Sequence, residues 1–243
     1  MGEVLVQVSE QETCLQRQRT RNLSRSKKVK QSRNNFRKRS KSLQPVYVGE
    51  SFVVRLCSTF YFRNRVISQT SSGVVHTQMH QLQPLGNMSL SSGASRMANS
   101  PNAGGSSEKS EILSFELLQR CFGAILQKTE TEVEYFPLGG CITDYTCTLF
   151  GTTLGISVTR AMKFHGEFTS ADANHLLWKK LNGVNSSSQN SLEKWTKQIL
   201  HVWASSARVA AIVGHAYRRL PAQLKSNTVV LITVATNTEI FKN

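Results

Sequence analysis

Apolar residues at Leu118, Cys121, Phe122 and Ile125 repeat with the spacing of one buried helical face, and Ile112 and Phe115 extend that face upstream. A helix is therefore predicted over 111–127. Polarity alternates over 132–136, which reads as a short strand closed by Pro137 and Gly139-Gly140. The stretches 142–150 and 154–161 are rich in β-branched and apolar residues, and Gly151-Thr152-Thr153 between them is a hairpin-type connection. Thr169 and Asp172 have the spacing of a capping box, which opens a helix reaching Leu181. After a polar, turn-like 182–189, a longer helix is expected. Its stripe runs through Leu192, Trp195, Ile199, Val202, Val209 and Val213, and Pro221 stops it. The near-continuous apolar run 228–234 is that of a strand covered on both faces. The expected fold class is α/β: a mixed four-stranded sheet with flanking helices in αβββαβ order.

Upstream of this domain, placed at 110–243, the pattern dissolves. Residues 67–109 are rich in Ser, Gly, Asn and Gln and too poor in apolar groups to offset chain entropy, so they read as a linker. Residues 1–66 read as a basic, mostly disordered tail. Val46-Tyr47-Val48, Phe52-Val53-Val54 and Thr59-Phe60-Tyr61-Phe62 have strand propensity, but an isolated pair of strands is marginal in water.

Charge sharpens this division. Residues 1–65 hold 15 Lys/Arg against 4 Asp/Glu, which is eleven of the fifteen net positive charges in the 243-residue chain. Twelve basic residues and no acid fall within 17–41, a block that repels itself until it meets an anion. Arg25, Lys27, Lys28, Lys30, Arg37, Lys38, Arg39 and Lys41 are the expected nucleic-acid contacts, acting through phosphates with strong salt dependence. With Phe36 the single aromatic there, base stacking contributes little. A solvated tail that binds polyanions weakly is the competing reading. The five cysteines lack framework spacing, Glu3, Glu10 and Glu12 argue against a secretory signal, and the apolar runs fall short of the ~20 residues a membrane span needs. A reducing nuclear or cytoplasmic compartment, with no membrane partner, is expected.

Candidate chemistry centres on the hairpin. Side chains alternate along a strand, so Ile142, Asp144, Thr146 and Thr148 share one face, while Gly155, Ser157 and Thr159 share a face of the next strand. Asp144 and Ser157 are thus expected to converge. At this point residues 110–237 resemble the PD-(D/E)XK, or restriction-endonuclease-like, superfamily, chiefly in element order. The resemblance implies an acid on the second strand and an acid-x-Lys on the third that bind Mg²⁺ and activate water for phosphodiester cleavage, assisted by a helical Glu. Asp144 matches the second-strand acid and Glu116 the helical one, giving Asp144 and Glu116 as the implied metal ligands. The third-strand acid falls on Ser157 and the lysine on Thr159, with Arg160 or Lys163 as a displaced positive charge. Those departures leave Mg²⁺ short of hard carboxylate ligands.

Each residue also has a local reading. Glu116 precedes Arg120 by four residues, as in an exposed helix pair. Asp144 fits an acceptor for backbone amides near the glycine turn, and Glu132 and Glu134 a solvated strand face. Lys179-Lys180 and Arg218-Arg219 fit solubilising helix surfaces. Cys141 and Cys147 lack zinc spacing and read as core, His76 and His80 fall in the linker, and Trp178, Trp195 and Trp203 read as packing helices onto the sheet. The expected function is a nucleic-acid-associated protein with a degenerate nuclease-like core, a metal-dependent phosphodiesterase if active. The alternative is a non-catalytic protein–protein interaction module with a polyanion-binding tail.

Overall fold

The computed structural model describes residues 45–56, 58–103 and 107–241. The basic residues singled out between Arg25 and Lys41 lie outside them. In chain order the elements are β1 (Val46–Val48), β2 (Phe52–Leu56), α1 (Thr59–Ile67), β3 (Gly73–Gln81), α2 (Ser92–Asn99), α3 (Glu108–Phe122), β4 (Ile125–Thr129), β5 (Tyr145–Leu149), β6 (Thr152–Ala161), α4 (Ser170–Asn190), β7 (Lys197–Ala204), α5 (Ala207–Arg219), α6 (Ala222–Lys225) and β8 (Val229–Thr236). Short 3₁₀ turns sit at Leu85–Asn87 and Glu130–Glu132. The strands form one mixed sheet in the order β1-β2-β3-β8-β7-β6-β5-β4. Neighbouring pairs among β3, β8, β7 and β6 run parallel, and the pairs on either side of that block are antiparallel.

The α/β class is as expected, but the sheet has eight strands where four were predicted. Two of the additional strands are β2 and β3. Residues 73–81, read as linker, form a strand that pairs with β8 from Gly73 to His80, so the sheet includes residues placed upstream of the domain. The strand was disguised because its core-facing side alternates Val75 and Met79 with Thr77 and Gln81. Buried Thr77 is satisfied by Thr233 at 2.7 Å, so polarity there marks a paired hydroxyl and not exposure. Thr59-Phe60-Tyr61-Phe62, read as extended, opens α1 under a Ser58 cap.

The long helix expected from 190 to 221 is instead β7 and α5. All eight residues of β7 are buried, and a run that is apolar on both sides satisfies helical spacing as readily as strand spacing. Ser206 breaks it, accepting a hydrogen bond from Val209 as the cap of α5. Trp195 therefore lies in a connection, where it covers Gly155 so closely that a Cβ there would stand 2.7 Å from the ring. The first predicted helix overran its end. Gly123, at φ +74°, closes α3, and its amide with that of Ala124 returns to Gln119 and Leu118, freeing 125–129 to become β4. The strand expected over 132–136 reduces to a bridge between Tyr135 and Ser191. The Thr169–Asp172 capping box forms, and α4 continues past Leu181 to Asn190.

Apolar packing lies on both sheet faces. On one, α1 and α3 cover Tyr145, Cys147, Ile156, Val158, Trp203 and Leu231; on the other, α4 and α5 cover Leu200, Val202, Val230 and Ile232. α3 is itself roofed by α2, because Gly93 admits the Phe115 ring. At the N-terminal end of β7, Lys197 is fully buried and donates to the carbonyls of Ser68 (2.7 Å) and Ser71, pinning the α1–β3 loop. Among the described residues, no helix is long and apolar enough to cross a membrane.

A buried polar chain crosses the first of these faces. His201 Nδ1 meets Ser114 Oγ at 2.7 Å and Ser114 meets Tyr145 Oη at 2.8 Å, while His201 Nε2 meets Thr233 Oγ1 at 2.8 Å. Burial pushes the His201 pKa from 6.5 down to about 3. The unfolded chain thus takes up a proton that the folded chain refuses, so stability is complete above pH 6.5 and lost as pH falls toward 3. Chemical denaturation should show a loss approaching ~1.4 kcal/mol per pH unit inside that window, absent from His201→Leu. At pH 7 the same variant should be less stable by roughly 1–3 kcal/mol, because the Ser114 hydroxyl loses its acceptor while Thr233 keeps its bond to Thr77.

Candidate functional site

Asp144 is the residue on which the expected chemistry depends, and the structure places it one position before β5. Its amide donates to Ile156 O at 3.0 Å, continuing the β5–β6 ladder. The chain then turns away, so no carbonyl follows to accept the next N–H of β6, that of Val158. Asp144 Oδ2 takes that bond instead. Thr143 closes the corner, with its hydroxyl on Ile156 O at 2.9 Å and its amide on Tyr135 Oη at 2.8 Å. The carboxylate is therefore a structural acceptor that completes a sheet edge.

Around it lies a cavity of about 20 Å³ lined by Ser100, Asn102, Glu108, Glu111, Thr129, Glu130 and Asp144, with Met97, Pro101 and Ile112. That is room for about one water molecule, not for a nucleotide phosphate. Burial and the neighbouring charge of Glu111 push the Asp144 pKa from 3.8 up to about 8, and Glu111 is raised by burial as well. Lys180 of α4 is the cation whose field opposes both shifts. Each neighbouring acid has its own task. Glu130 accepts the Ala103 amide at 2.9 Å, Glu111 is hydrogen-bonded to the Ser107 side chain, and Glu132 holds Arg96 through both oxygens at 2.7 and 2.6 Å.

The other expected site residues do not join Asp144. Glu116 is buried on the α2 side of α3, where it accepts the Ser91 amide at 3.0 Å and hydroxyl at 2.5 Å, and Arg120 Nε at 2.7 Å. The Glu116–Arg120 pair anticipated from spacing exists, but with the carboxylate buried, as the anchor of α2. Ser157 and Thr159 are buried in β6, and neither lines the Asp144 cavity. Arg160 Nη1 donates to Ile240 O at 2.8 Å, fastening the C-terminal segment. Lys163 pairs with Asp172 at 3.2 Å. Glu111, Glu130 and Lys180, which do surround Asp144, went unnoticed in the sequence because nothing there showed that α3 is buried on all sides.

Mg²⁺ does not fit these residues. Its implied ligands Asp144 and Glu116 are engaged in separate places, Asp144 favours its neutral form at pH 7, and among the described residues no group of three His, Cys, Asp or Glu is arranged to hold a metal. The histidines and cysteines add nothing to the site. His76 and His80 stand on one face of β3, Cys147 is buried, and Cys141 is exposed beside Gly183 of α4.

No protein-family model and no solved structure matches the chain. It is 47% identical over 160 residues to the AAC-rich mRNA clone AAC4 protein of Dictyostelium discoideum, a match covering 63% of this chain and 24% of that protein. The chain thus spans about a quarter of the length of its curated relative.

If Asp144 serves the backbone, two substitutions separate its acceptor from its charge. A carboxyl whose pKa is raised from 3.8 to about 8 stabilises the fold below the lower value, and that contribution is lost as pH rises toward the upper one. Asp144→Asn keeps an oxygen for Val158 and should abolish this pH dependence. Asp144→Ala strands the amide and should lower stability by roughly 1–3 kcal/mol at pH 4. Urea titrations of the three proteins at pH 4, 6 and 8 test both expectations.

Proposed function

We propose that this chain is a nucleic-acid-associated protein with a nuclease-like frame that does not cleave. What supports the frame is the succession α3, β4, β5, β6, α4, β7, in which β4 through β8 are sheet neighbours in sequence order and β5 alone runs opposite to the rest. The restriction-endonuclease-like resemblance rests on an order of this kind, read in the sequence with 132–136 as first strand and 228–234 as last, and an acid, Asp144, directly precedes the second strand here. The observation that carries the loss of cleavage is the Asp144–Val158 hydrogen bond beside a one-water cavity. Affinity comes from the basic block of 17–41 through phosphate contacts, in a nuclear or cytoplasmic setting.

A second reading, a protein-interaction module, has one observation in its favour. The loop between β4 and β5 exposes Phe136 by 74% and Leu138 by 91%, and Leu192, exposed by 55%, lies beside it through the 2.9 Å bond from its amide to Glu134 O. Contiguous exposed apolar groups of this kind mark contact surfaces.

Fluorescence anisotropy with a labelled 20-mer duplex, over a salt series, tests the proposal. Binding should weaken steeply with salt, and changing Arg25, Lys27, Lys28, Lys30, Arg37, Lys38, Arg39 and Lys41 together to Gln should cut affinity at least a hundredfold and flatten the salt slope. Incubation with Mg²⁺ or Mn²⁺ should leave the duplex intact. Divalent-dependent cleavage lost in Asp144→Ala would overturn the non-cleaving reading, and binding indifferent to the eightfold change would overturn the role of the tail.

A further inference from the structure

A larger cavity, of about 460 Å³, opens far from Asp144, at the carboxyl ends of the parallel strands β3, β8 and β7. It exists because the helical layer of α4 and α5 stops short. α5 reaches β3 only as far as His76, against which Gly214 packs so closely that a Cβ there would stand 3.3 Å from the ring. Beyond that point no described helix covers the same sheet face. The pairings Val46–Arg55, Val53–His80, Arg55–Gln78, Gln78–Val234 and His80–Thr236 set these residues in adjacent rows on one surface.

Its chemistry is one-sided. Val46, Val53 and Val234 supply an apolar floor, and Arg55, Gln78, His80 and Thr236 supply polar groups above it. No Asp or Glu is among the lining residues. Arg55 is exposed and makes no hydrogen bond, ion pair or ring contact with any described residue. His80 is oriented by Thr236, at 2.9 Å from Nδ1, which turns Nε2 outward. Ser205, Ser206 and Ala207 form the remaining wall. Crevices outside the carboxyl ends of parallel strands are where open α/β sheets bind ligands, and small-molecule sites have volumes of roughly 300–1,000 Å³.

We infer that this cavity binds a small organic phosphate of about mononucleotide size, with its apolar body on the valine floor and its phosphate on Arg55. The acid-free lining and the free guanidinium select an anion, the floor selects an organic one, and the volume sets its size. A guanidinium grips phosphate through two parallel N–H bonds, which a lysine does not reproduce. The inference does not depend on nucleic-acid binding by the basic segment.

Calorimetric titration of the full chain at 150 mM salt, with adenosine and uridine 5′-monophosphates, phenyl phosphate, adenosine and inorganic phosphate, tests it. At least one of the three organic phosphates should bind at least tenfold more tightly than inorganic phosphate, and adenosine should bind at least tenfold more weakly than its monophosphate. Arg55→Glu and Gln78→Glu, both at exposed positions and so compatible with folding, should each reduce the organic phosphate's affinity at least tenfold. Binding by none of the three, equal binding of inorganic phosphate, or affinity unchanged in Arg55→Glu would each overturn the assignment. A ten-nucleotide single strand that displaces the bound phosphate in wild type but not in an Arg55→Lys protein would identify a strand terminus as its source; absence of competition would identify a free metabolite.

Discussion

His201 occupies the middle of the strand that joins the two halves of the sheet, and it has no exposed surface, so both ring nitrogens must find partners within the protein. They find Ser114 on α3 and Thr233 on β8. This requirement fixes more than one side chain. Tyr145 has no hydrogen-bond partner but Ser114 among the described residues, so its phenol must donate. Ser114 then donates to Nδ1, the neutral ring carries its proton on Nε2, and Thr233 passes its own to Thr77. One direction of protons thus links β5, α3, β7, β8 and β3. Trp203, stacked on His201 at 4.3 Å, adds a bond from its indole to Ser110 O, so α3 is held by polar contacts one helical turn apart.

Locking α3 against the sheet has consequences for its acids. With α2 above and the sheet below, residues Ser110–Leu118 are buried without exception. Glu111 and Glu116 cannot be solvated there, and each is satisfied locally, Glu116 by the cap of α2 and Glu111 beside Asp144. Carboxylates placed this way favour the neutral form or a fixed hydrogen bond, and both uses compete with a divalent cation for the same lone pairs. The burial of α3 thus leaves its acids engaged by a backbone amide, hydroxyls and a guanidinium.

Local signals were legible in the sequence and layer coverage was not. The β5–β6 hairpin, the Thr169 cap, β8 and the apolar face of α3 follow from spacing that neighbours alone decide. β7 was misread because it is buried on two sides, which removes the alternation that distinguishes a strand. β3 was missed for the opposite reason, since its buried Thr77 and Gln81 look like surface until their partners, 156 residues away for Thr77, are in view. The site divides in the same way. The sequence suggests amides of the Gly139-Gly140 turn as partners of Asp144, but the amide it accepts is that of Val158 on β6, and Glu111 and Glu130 as its neighbours depend on how α2 and α3 stack. Arg55 drew no notice because its surroundings come from β1, β3, β8 and the start of α5 together.

The unequal covering of the sheet follows from its connections. Each parallel step from β6 to β7 and from β7 to β8 needs a crossover, and α4 and α5 are those crossovers, so they lie on one face over the strands they join. β2 and β3 are antiparallel and need none; α1 between them packs on the opposite face, with Phe62 and Val66 in the layer of α3. Among the described residues, no remaining connection returns to cover β1 to β3 on the α5 side. The acid cavity is small because helices stack there, and the cavity at Arg55 is large because topology leaves that face without a described helix. A ligand-sized opening in this fold is thus expected where the parallel block meets its antiparallel flank, which is where the guanidinium of Arg55, unpaired among the described residues, stands.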